Sequence, residues 1–429
     1  MSATMRQSLA RYSGVVRRAA GPILVATDGR GAANAAVRVA GLLAERLGTR
    51  AEALAILEPV ATYTPELLVA VPPGYDAQRR TEVRDAVRAQ VYDVVGPEAS
   101  WRVDAELGSP PQAIAGAADE RDASFVVLGI GRHSPFDRLF GTETALRTLR
   151  ATRRPVLAVA AGATALPRLA VAAVDFTPAS VHAAEAALDA LGDGGTLRLV
   201  HVKPYVNAAQ PLLADWESAY MRRVDELFGR TVAMLHERRA DVAIDTVVVT
   251  GDPADQVLAA AERDGADLVA TGTHGAGVIE RMFVGSVATA LLRRATASVL
   301  ACQEPSAVDV ARIERRLLGT TETAEPTRWA ALLADFTARN AGRRAQLEVD
   351  EPRIGAQVQE RGYAFLGAAY DRRDARVELM LGDPAEMLRH VTRSIPRVTA
   401  VAVLAGADGR DATLKIEHGT GQTLLTFSE

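Results

Sequence analysis

Lysine is almost missing from this chain: Lys203 and Lys415 are the only two, and arginine supplies the remaining positive charge. Neither follows a glycine-rich turn, so a Walker-type phosphate loop, which needs its lysine on the terminal phosphates, is excluded by that signature. Cysteine occurs once, as Cys302, which rules out an internal disulfide and fits a reducing compartment. That residue lies in the apolar run 298–302 and reads as a small buried strand residue. The seven histidines are scattered, with no pair at zinc-ligand spacing. No stretch approaches the roughly eighteen consecutive apolar residues of a membrane helix, so the expectation is a soluble, cytoplasmic protein without a membrane partner. A formal net charge of −4 argues against a broad nucleic-acid surface.

What is present is length and repetition. A chain of 429 residues exceeds what one hydrophobic core organises, and an apolar fraction of 48% is globular. Residues 1–20 carry Arg6, Arg11, Arg17 and Arg18 with no acid, and read as a flexible tail. From 21 to 162, short apolar runs alternate with helical patterns. Strands at 23–27, 53–57, 101–107, 125–128 and 155–159 are separated by helices, one closed by Gly48 and one opened by Ser109-Pro110. The same order recurs from 166 to 303. Asp28 aligns with Asp175 at a separation of 147 (175 − 28), Gly108 with Gly251 at 143 (251 − 108), and Val156 with Val299 at 143 (299 − 156). A period of this length is too long for a solenoid, so each copy is expected to be a full α/β domain with a parallel five-stranded sheet.

The stretch richest in chemical information is 272–286, Gly-Thr-His-Gly-Ala-Gly-Val-Ile-Glu-Arg-Met-Phe-Val-Gly-Ser. It follows an apolar strand and precedes a helical pattern that begins at Val287. Gly272, Gly275 and Gly285 would let backbone N–H groups approach an anion with no Cβ in the way. Ser286 can cap the following helix and offer a hydroxyl, while the helix start favours negative charge. A glycine-rich turn with an ordinary cap has the same residues, so the reading needs its strand and helix context.

The spacing Gly272-x-x-Gly275-(nine residues)-Gly285-Ser286 resembles the nucleotide-binding pattern of the universal stress protein family. The resemblance implies Rossmann-like domains and an ATP-type ligand, with or without Mg²⁺, held by Asp175, Val202, Gly272, Gly275, Gly285, Ser286 and Val287. By the same resemblance Asp175 meets the adenine or ribose side and the backbone of Val202 the adenine. From the residues alone, Asp175 is equally a turn residue and Val202 plain sheet core. The family pairs such domains through their last strands, which implies a contact of 155–159 with 298–302 inside this one chain, and leaves a homodimer open. The implied role is a stress-response regulator that passes its bound state to a protein partner. His274 and Glu280 allow at most slow hydrolysis, and an empty interaction scaffold is the further alternative.

The first copy departs from the pattern. Its outer glycines, Gly129 and Gly141, are 12 apart (141 − 129) against 13 in the second copy (285 − 272), Arg132 stands for Gly275, and Pro135 removes a donor. Weak or absent binding is expected there, with Arg132 and His133 filling the pocket or meeting another anion. Residues 304–325 read as a linker containing a helix at 308–318. Residues 326–429 read as a small α+β domain: a helix capped by Thr327 and stopped at Asn340-Ala-Gly342, strands at 345–349, 363–369 and 376–381, a short helix at 385–392, and strands at 399–404, 413–418 and 422–427. That region loosely resembles an uncharacterised bacterial domain family, a resemblance that implies no function.

Overall fold

A computed structural model describes residues 21–59, 74–130, 135–203, 212–273, 285–318, 321–323, 325–351, 355–383, 386–405, 410–419 and 421–427. In chain order the first copy runs β1 (Ile23–Ala26), α1 (Asn34–Leu47), β2 (Ala51–Leu57), α2 (Tyr75–Val95), β3 (Arg102–Leu107), α3 (Pro110–Glu120), β4 (Phe125–Ile130), α4 (Pro135–Ala151) and β5 (Val156–Ala160). The second runs β6 (Leu169–Ala173), α5 (Pro178–Ala190), β7 (Thr196–Lys203), α6 (Leu212–Arg238), β8 (Ala243–Thr250), α7 (Pro253–Asp264), β9 (Leu268–Gly272), α8 (Ser286–Arg294) and β10 (Ser298–Cys302). Local chemistry explains the helix limits. Asp252 accepts a hydrogen bond from the Asp255 N–H ahead of Pro253, and Gly48 and Gly265 close α1 and α7 at φ 63° and 65°.

The two copies share one sheet. Its strand order is β3-β2-β1-β4-β5-β10-β9-β6-β7-β8, parallel within each half and antiparallel only where β5 meets β10. The two five-stranded sheets expected from the sequence are therefore halves of a continuous ten-stranded one. Leu157 stands opposite Leu300, and their separation of 143 (300 − 157) is the repeat itself. A pseudo-twofold axis passes through that pair, and Ala158↔Val299 and Val156↔Ala301 flank it. The central strands are buried on both faces, as their unbroken apolar runs require.

One ion-pair network is inverted between the copies. In the first, Arg121 at the end of α3 bonds the buried Glu52 of β2 at 3.2 Å and Asp104 of β3 at 3.0 Å. In the second, the same helix end carries Asp264 (121 + 143), which pairs with Arg198 on β7. The cross-strand neighbours follow suit: Glu52 lies opposite Arg102, and Arg198 opposite Asp245, which it bonds at 3.2 Å. Arg263 first, and Arg198 with it, hold the Asp264 carboxyl below its usual range.

The described residues divide into two compact units. One contains both α/β copies, including the last turn of α6; the other contains residues 212–234 of α6 with the chain from 306 onward. In the second unit α9 (Ala307–Leu318) falls where a helix was expected within the linker, and Arg230 of α6 donates to the Leu317 carbonyl at its end at 2.8 Å. After β11 (Thr321–Thr323) and a 3₁₀ turn at Pro326–Arg328 comes α10 (Trp329–Asn340). That turn makes Arg328, not Thr327, the residue ahead of α10. The strands β12 (Arg344–Glu351), β13 (Gly355–Asp371), β14 (Arg376–Asp383), β15 (Glu386–Ile395), β16 (Val398–Ala405), β17 (Asp411–His418) and β18 (Gly421–Phe427) follow. They form an all-antiparallel sheet in the order β11-β16-β17-β18-β12-β13-β14-β15, with Trp329, Leu333 and Phe336 of α10 in its core. The helix expected at 385–392 is strand β15: pairing Val391 with Leu381 and Ile395 with Val377 buries Ile395, and that outweighs local helix propensity.

Candidate functional site

Three neighbouring strand ends, those of β9, β6 and β7, carry the residues singled out from the sequence. They flank the point where the strand order reverses, the usual crevice of an open α/β sheet.

At the end of β6, Asp175 is exposed, and its Oδ1 accepts from the Thr177 N–H at 3.1 Å and the Thr177 hydroxyl at 2.6 Å. Thr177 in turn caps α5. Asp28 accepts from the Arg30 N–H at 3.0 Å in the same way, so the turn role is common to both copies. The other oxygen of Asp175, Oδ2, takes no hydrogen bond from the described residues. Phe176 follows in the left-handed region at φ 62°, where the first copy has Gly29 at φ 81°. A bulky residue there costs about 1–2 kcal/mol. Its ring lies 5.0 Å from that of His201, whose Nδ1 is 2.7 Å from the Val174 carbonyl. A carbonyl only accepts, so Nδ1 carries the proton. Burial pushes the His201 pKa below its ordinary value, against the Val174 bond and the Asp175 charge. Sequence reasoning missed Phe176 and His201; the signal for Phe176 was the phenylalanine where the repeat has Gly29.

On β7, the Val202 side chain packs against the core. The Val174 N–H donates to the Val200 carbonyl at 2.9 Å, so Val200 turns its backbone polar groups toward β6. Alternation turns those of Val202 the same way, past Ala173 where the β6 ladder stops, and so into the crevice.

At the end of β9, a Cβ on Gly272 would lie 2.8 Å from the Ala179 carbonyl carbon and the Ser180 nitrogen, so the first turn of α5 requires this glycine. Thr273, buried beside it, donates its N–H to the Cys302 carbonyl at 2.9 Å and accepts from the Gly285 N–H at 2.7 Å. A Cβ on Gly285 would meet that Thr273 oxygen at 2.4 Å. Gly285 is itself the residue capping α8, with Ser286 the first helical residue. The cap expected of Ser286 is thus displaced by one position, because the Thr273 clamp holds Gly285 in extended geometry. The result is a helix start with no side-chain cap: the N–H groups of Ser286 and Val287 have no acceptor within the helix. Ser286 is exposed and Val287 half-buried. Gly275, His274 and Glu280 lie outside the described residues.

The first copy differs in its helix rather than in loop length. Ala145, Thr148, Leu149 and Thr152 are buried as Ala288, Leu291, Leu292 and Ala295 are, each at a separation of 143. On that register Thr142 stands where Gly285 does, and Glu143 where Ser286 does. No residue is missing, and Gly141 is one position early. Moreover, α4 begins at Pro135, so the N–H groups of Thr142 and Glu143 are spent inside the helix. Gly131, Arg132 and His133 lie outside the described residues. Behind β1, Gln90 bonds Thr27, Asn34 and the Arg30 carbonyl at 2.7–2.8 Å. Among the described residues there is no cluster suited to a metal ion and no helix long and apolar enough to cross a membrane.

Residues 20–160 and 168–303 each match the universal stress protein family model, and residues 320–429 match a family of unknown function (DUF5335). A universal stress protein of Mycolicibacterium smegmatis is 27% identical over 286 residues, which cover 65% of this chain and 95% of that protein. The stress response protein NhaX of Bacillus subtilis is 32% identical over 94 residues, 21% of this chain and 55% of that protein, so the chain spans about half of it. A crystal structure of a universal stress protein in complex with cAMP is 22% identical and covers 34% of this chain and 99% of its own, with a TM-score of 0.23. With one family match on each half of the shared sheet, and the two together covering more than half of its length, the chain belongs to the universal stress protein family as a tandem pair of its domains.

Proposed function

We propose that the second copy binds an adenine nucleotide, ATP above all, and that the bound state is the signal a stress-response regulator of the cytoplasm presents to a protein partner. The observation that carries this reading is the start of α8, where the Ser286 and Val287 amides face outward uncapped at the mouth of the crevice. Two features support the adenine end: the Val202 backbone turned past the end of β6, and the free oxygen of Asp175. Gly272 and Gly285 serve by letting α5 and Thr273 come close, which places the helix start; Gly275 belongs to the same motif. Mg²⁺, where present, would arrive with the polyphosphate. The role assigned is binding, with hydrolysis at most slow.

Gly285→Val is a poor test, because its side chain would strike the Thr273 oxygen whether or not nucleotide binds. Ser286→Pro and Val287→Pro are better. Each removes one amide donor in the first turn, where proline is tolerated. A hydrogen bond to a charged group contributes about 1.5–3 kcal/mol, so either variant should weaken ATP binding by calorimetry about tenfold or more with the fold retained. Unchanged ATP affinity in both would overturn the proposal. Titration with cAMP alongside ATP shows which adenine nucleotide the crevice prefers.

A further inference from the structure

The pseudo-twofold places a residue of the first copy at the candidate site of the second. Across the β5–β10 seam α4 and α8 are neighbours, and Arg293 of α8 bonds Glu143 of α4 at 2.9 Å. The axis through Leu157 and Leu300 exchanges positions 143 apart. It therefore carries Glu143 onto Ser286 (143 + 143) and Arg293 onto Arg150 (293 − 143). The symmetry mate of the Glu143–Arg293 ion pair is the juxtaposition of Ser286 and Arg150. One side of the seam closes with a salt bridge. By the same operation the other places Arg150 toward the uncapped first residue of α8 and gives it no carboxylate. Arg150 is exposed in the last turn of α4, and no described residue pairs with it, whereas Arg293 is held.

We propose that Arg150, from the first copy, is a phosphate-binding residue of the second copy's site, and that it makes the site selective for nucleoside polyphosphates over the nucleoside. This rests on the nucleotide reading above. Charge and geometry agree on the division of labour. At the mirror position the first copy places the Glu143 carboxylate where Ser286 stands, which would repel a phosphate, and the Glu143 charge also occupies Arg293. In the second copy the neutral Ser286 leaves both the helix start and Arg150 available to an anion. A planar guanidinium can give two parallel hydrogen bonds to phosphate oxygens, a geometry that suits the outer phosphates of a di- or triphosphate.

Calorimetric titration of the full chain with ATP and with adenosine tests this, using Arg150→Ala, Arg150→Glu and the control Arg147→Ala, an exposed arginine on the same helix. The expected result is ATP affinity about tenfold weaker in Arg150→Ala and weaker again in Arg150→Glu. Adenosine affinity should stay unchanged in both, and ATP affinity should stay unchanged in Arg147→Ala. If the parent chain binds ATP and both Arg150 variants bind it equally well, the role of Arg150 is refuted and the nucleotide reading stands. Equal losses for ATP and adenosine, or an equal loss in Arg147→Ala, would refute it too, since they report structure or general charge. No ATP binding by the parent chain would overturn both readings together.

Discussion

Replacing Arg239 by methionine removes the group that closes the end of α5, and the structure sets the size of the effect. Arg239 is 6% exposed. Its Nη1 donates to the carbonyls of Leu188 at 2.8 Å and Leu191 at 2.7 Å, and its Nη2 to that of Gly192 at 3.3 Å. Asp241 takes the Nε–H at 3.1 Å. Methionine keeps the apolar stem, so the loss is polar: charged hydrogen bonds of about 1.5–3 kcal/mol each, and the orphaned Leu188 carbonyl at about 1–3 kcal/mol, while the Gly195 N–H still donates to Gly192 at 3.2 Å. Arg46 still donates to Leu191 at 2.9 Å, which tempers the damage. The net expectation is about 3 kcal/mol, read as lost hydrogen-exchange protection of α5 and a midpoint lowered by roughly 6–12 °C. A pH signature separates this account from generic damage. The hydrogen bond from Arg239 holds the Asp241 carboxyl down from 3.8 to about 2. A depressed carboxylate contributes its stability above its unfolded pKa and loses it as pH falls through the folded one, so the window is pH 4 to 2. The Asp241 side chain is 50% exposed, and solvent screening reduces the linked contribution to about 1 kcal/mol. Most of that increment should be lost in Arg239→Met, the backbone hydrogen bonds of Asp241 and Gly194 retaining the rest. A loss under about 1 kcal/mol, or an unchanged acid limb, would refute the assignment.

The inverted network gives a second test. Arg121→Asp should destabilise the first copy by about 3–5 kcal/mol, and adding Glu52→Arg should restore more than half of it by recreating the polarity of Arg198 and Asp264. Equal instability of the single and double variants, by exchange in 51–57, would show that the pair does not act as a unit. For the glycines, Gly272→Ala should cost about 1–3 kcal/mol by overpacking against α5. Gly116→Ala, at an exposed helical site with nothing within 4 Å of the added Cβ, should instead stabilise by about 0.5–1 kcal/mol, both measured by urea denaturation. His201 should titrate by NMR below the ordinary 6.5. Its folded form binds fewer protons than the unfolded chain, so it costs stability as pH drops below that value; Phe176→Gly, by exposing the ring, should move the titration back up.

The duplication and the layered α/β order were legible because they rest on buried strands, whose apolar runs tolerate little variation in length or composition. The C-terminal region was harder to read. Its strands at 399–404, 413–418 and 422–427 announce themselves by turns and alternation, but 386–395 opens with Glu, Met, Leu and Arg, all good helix formers. It became a strand because β14 offers it partners up to 18 residues away in sequence (395 − 377), and local propensity holds no information about them. At the candidate site, Gly272 and Gly285 were singled out by their spacing and Asp175 by the family resemblance. Spacing did not show that the two glycines answer to α5 and Thr273, since both neighbours are brought in by the sheet.

The comparison of the two copies shows most clearly why motif spacing and site geometry come apart. Aligned by their glycines, Gly141 and Gly285 correspond and one residue is absent; aligned by what is buried, Thr142 and Gly285 correspond and nothing is absent. The second alignment is the physical one. The register of a helix on a sheet is set by the side chains it buries, and a shift of one residue would turn Leu149 and Thr152 out of the core. A glycine can drift along the loop at little cost, whereas the core positions cannot. Once that register is imposed, one acidic residue, Glu143, falls at the position that Ser286 holds in the other copy, and a helix that starts early consumes the amides the second copy leaves open. On the proposed reading, the lack of an anion site in the first copy and the release of Arg150 toward the second would have a single origin, in which residues face each other across the Leu157–Leu300 axis. A tandem chain can make such a change on one side only, whereas a symmetric homodimer built from one copy would have to make it twice.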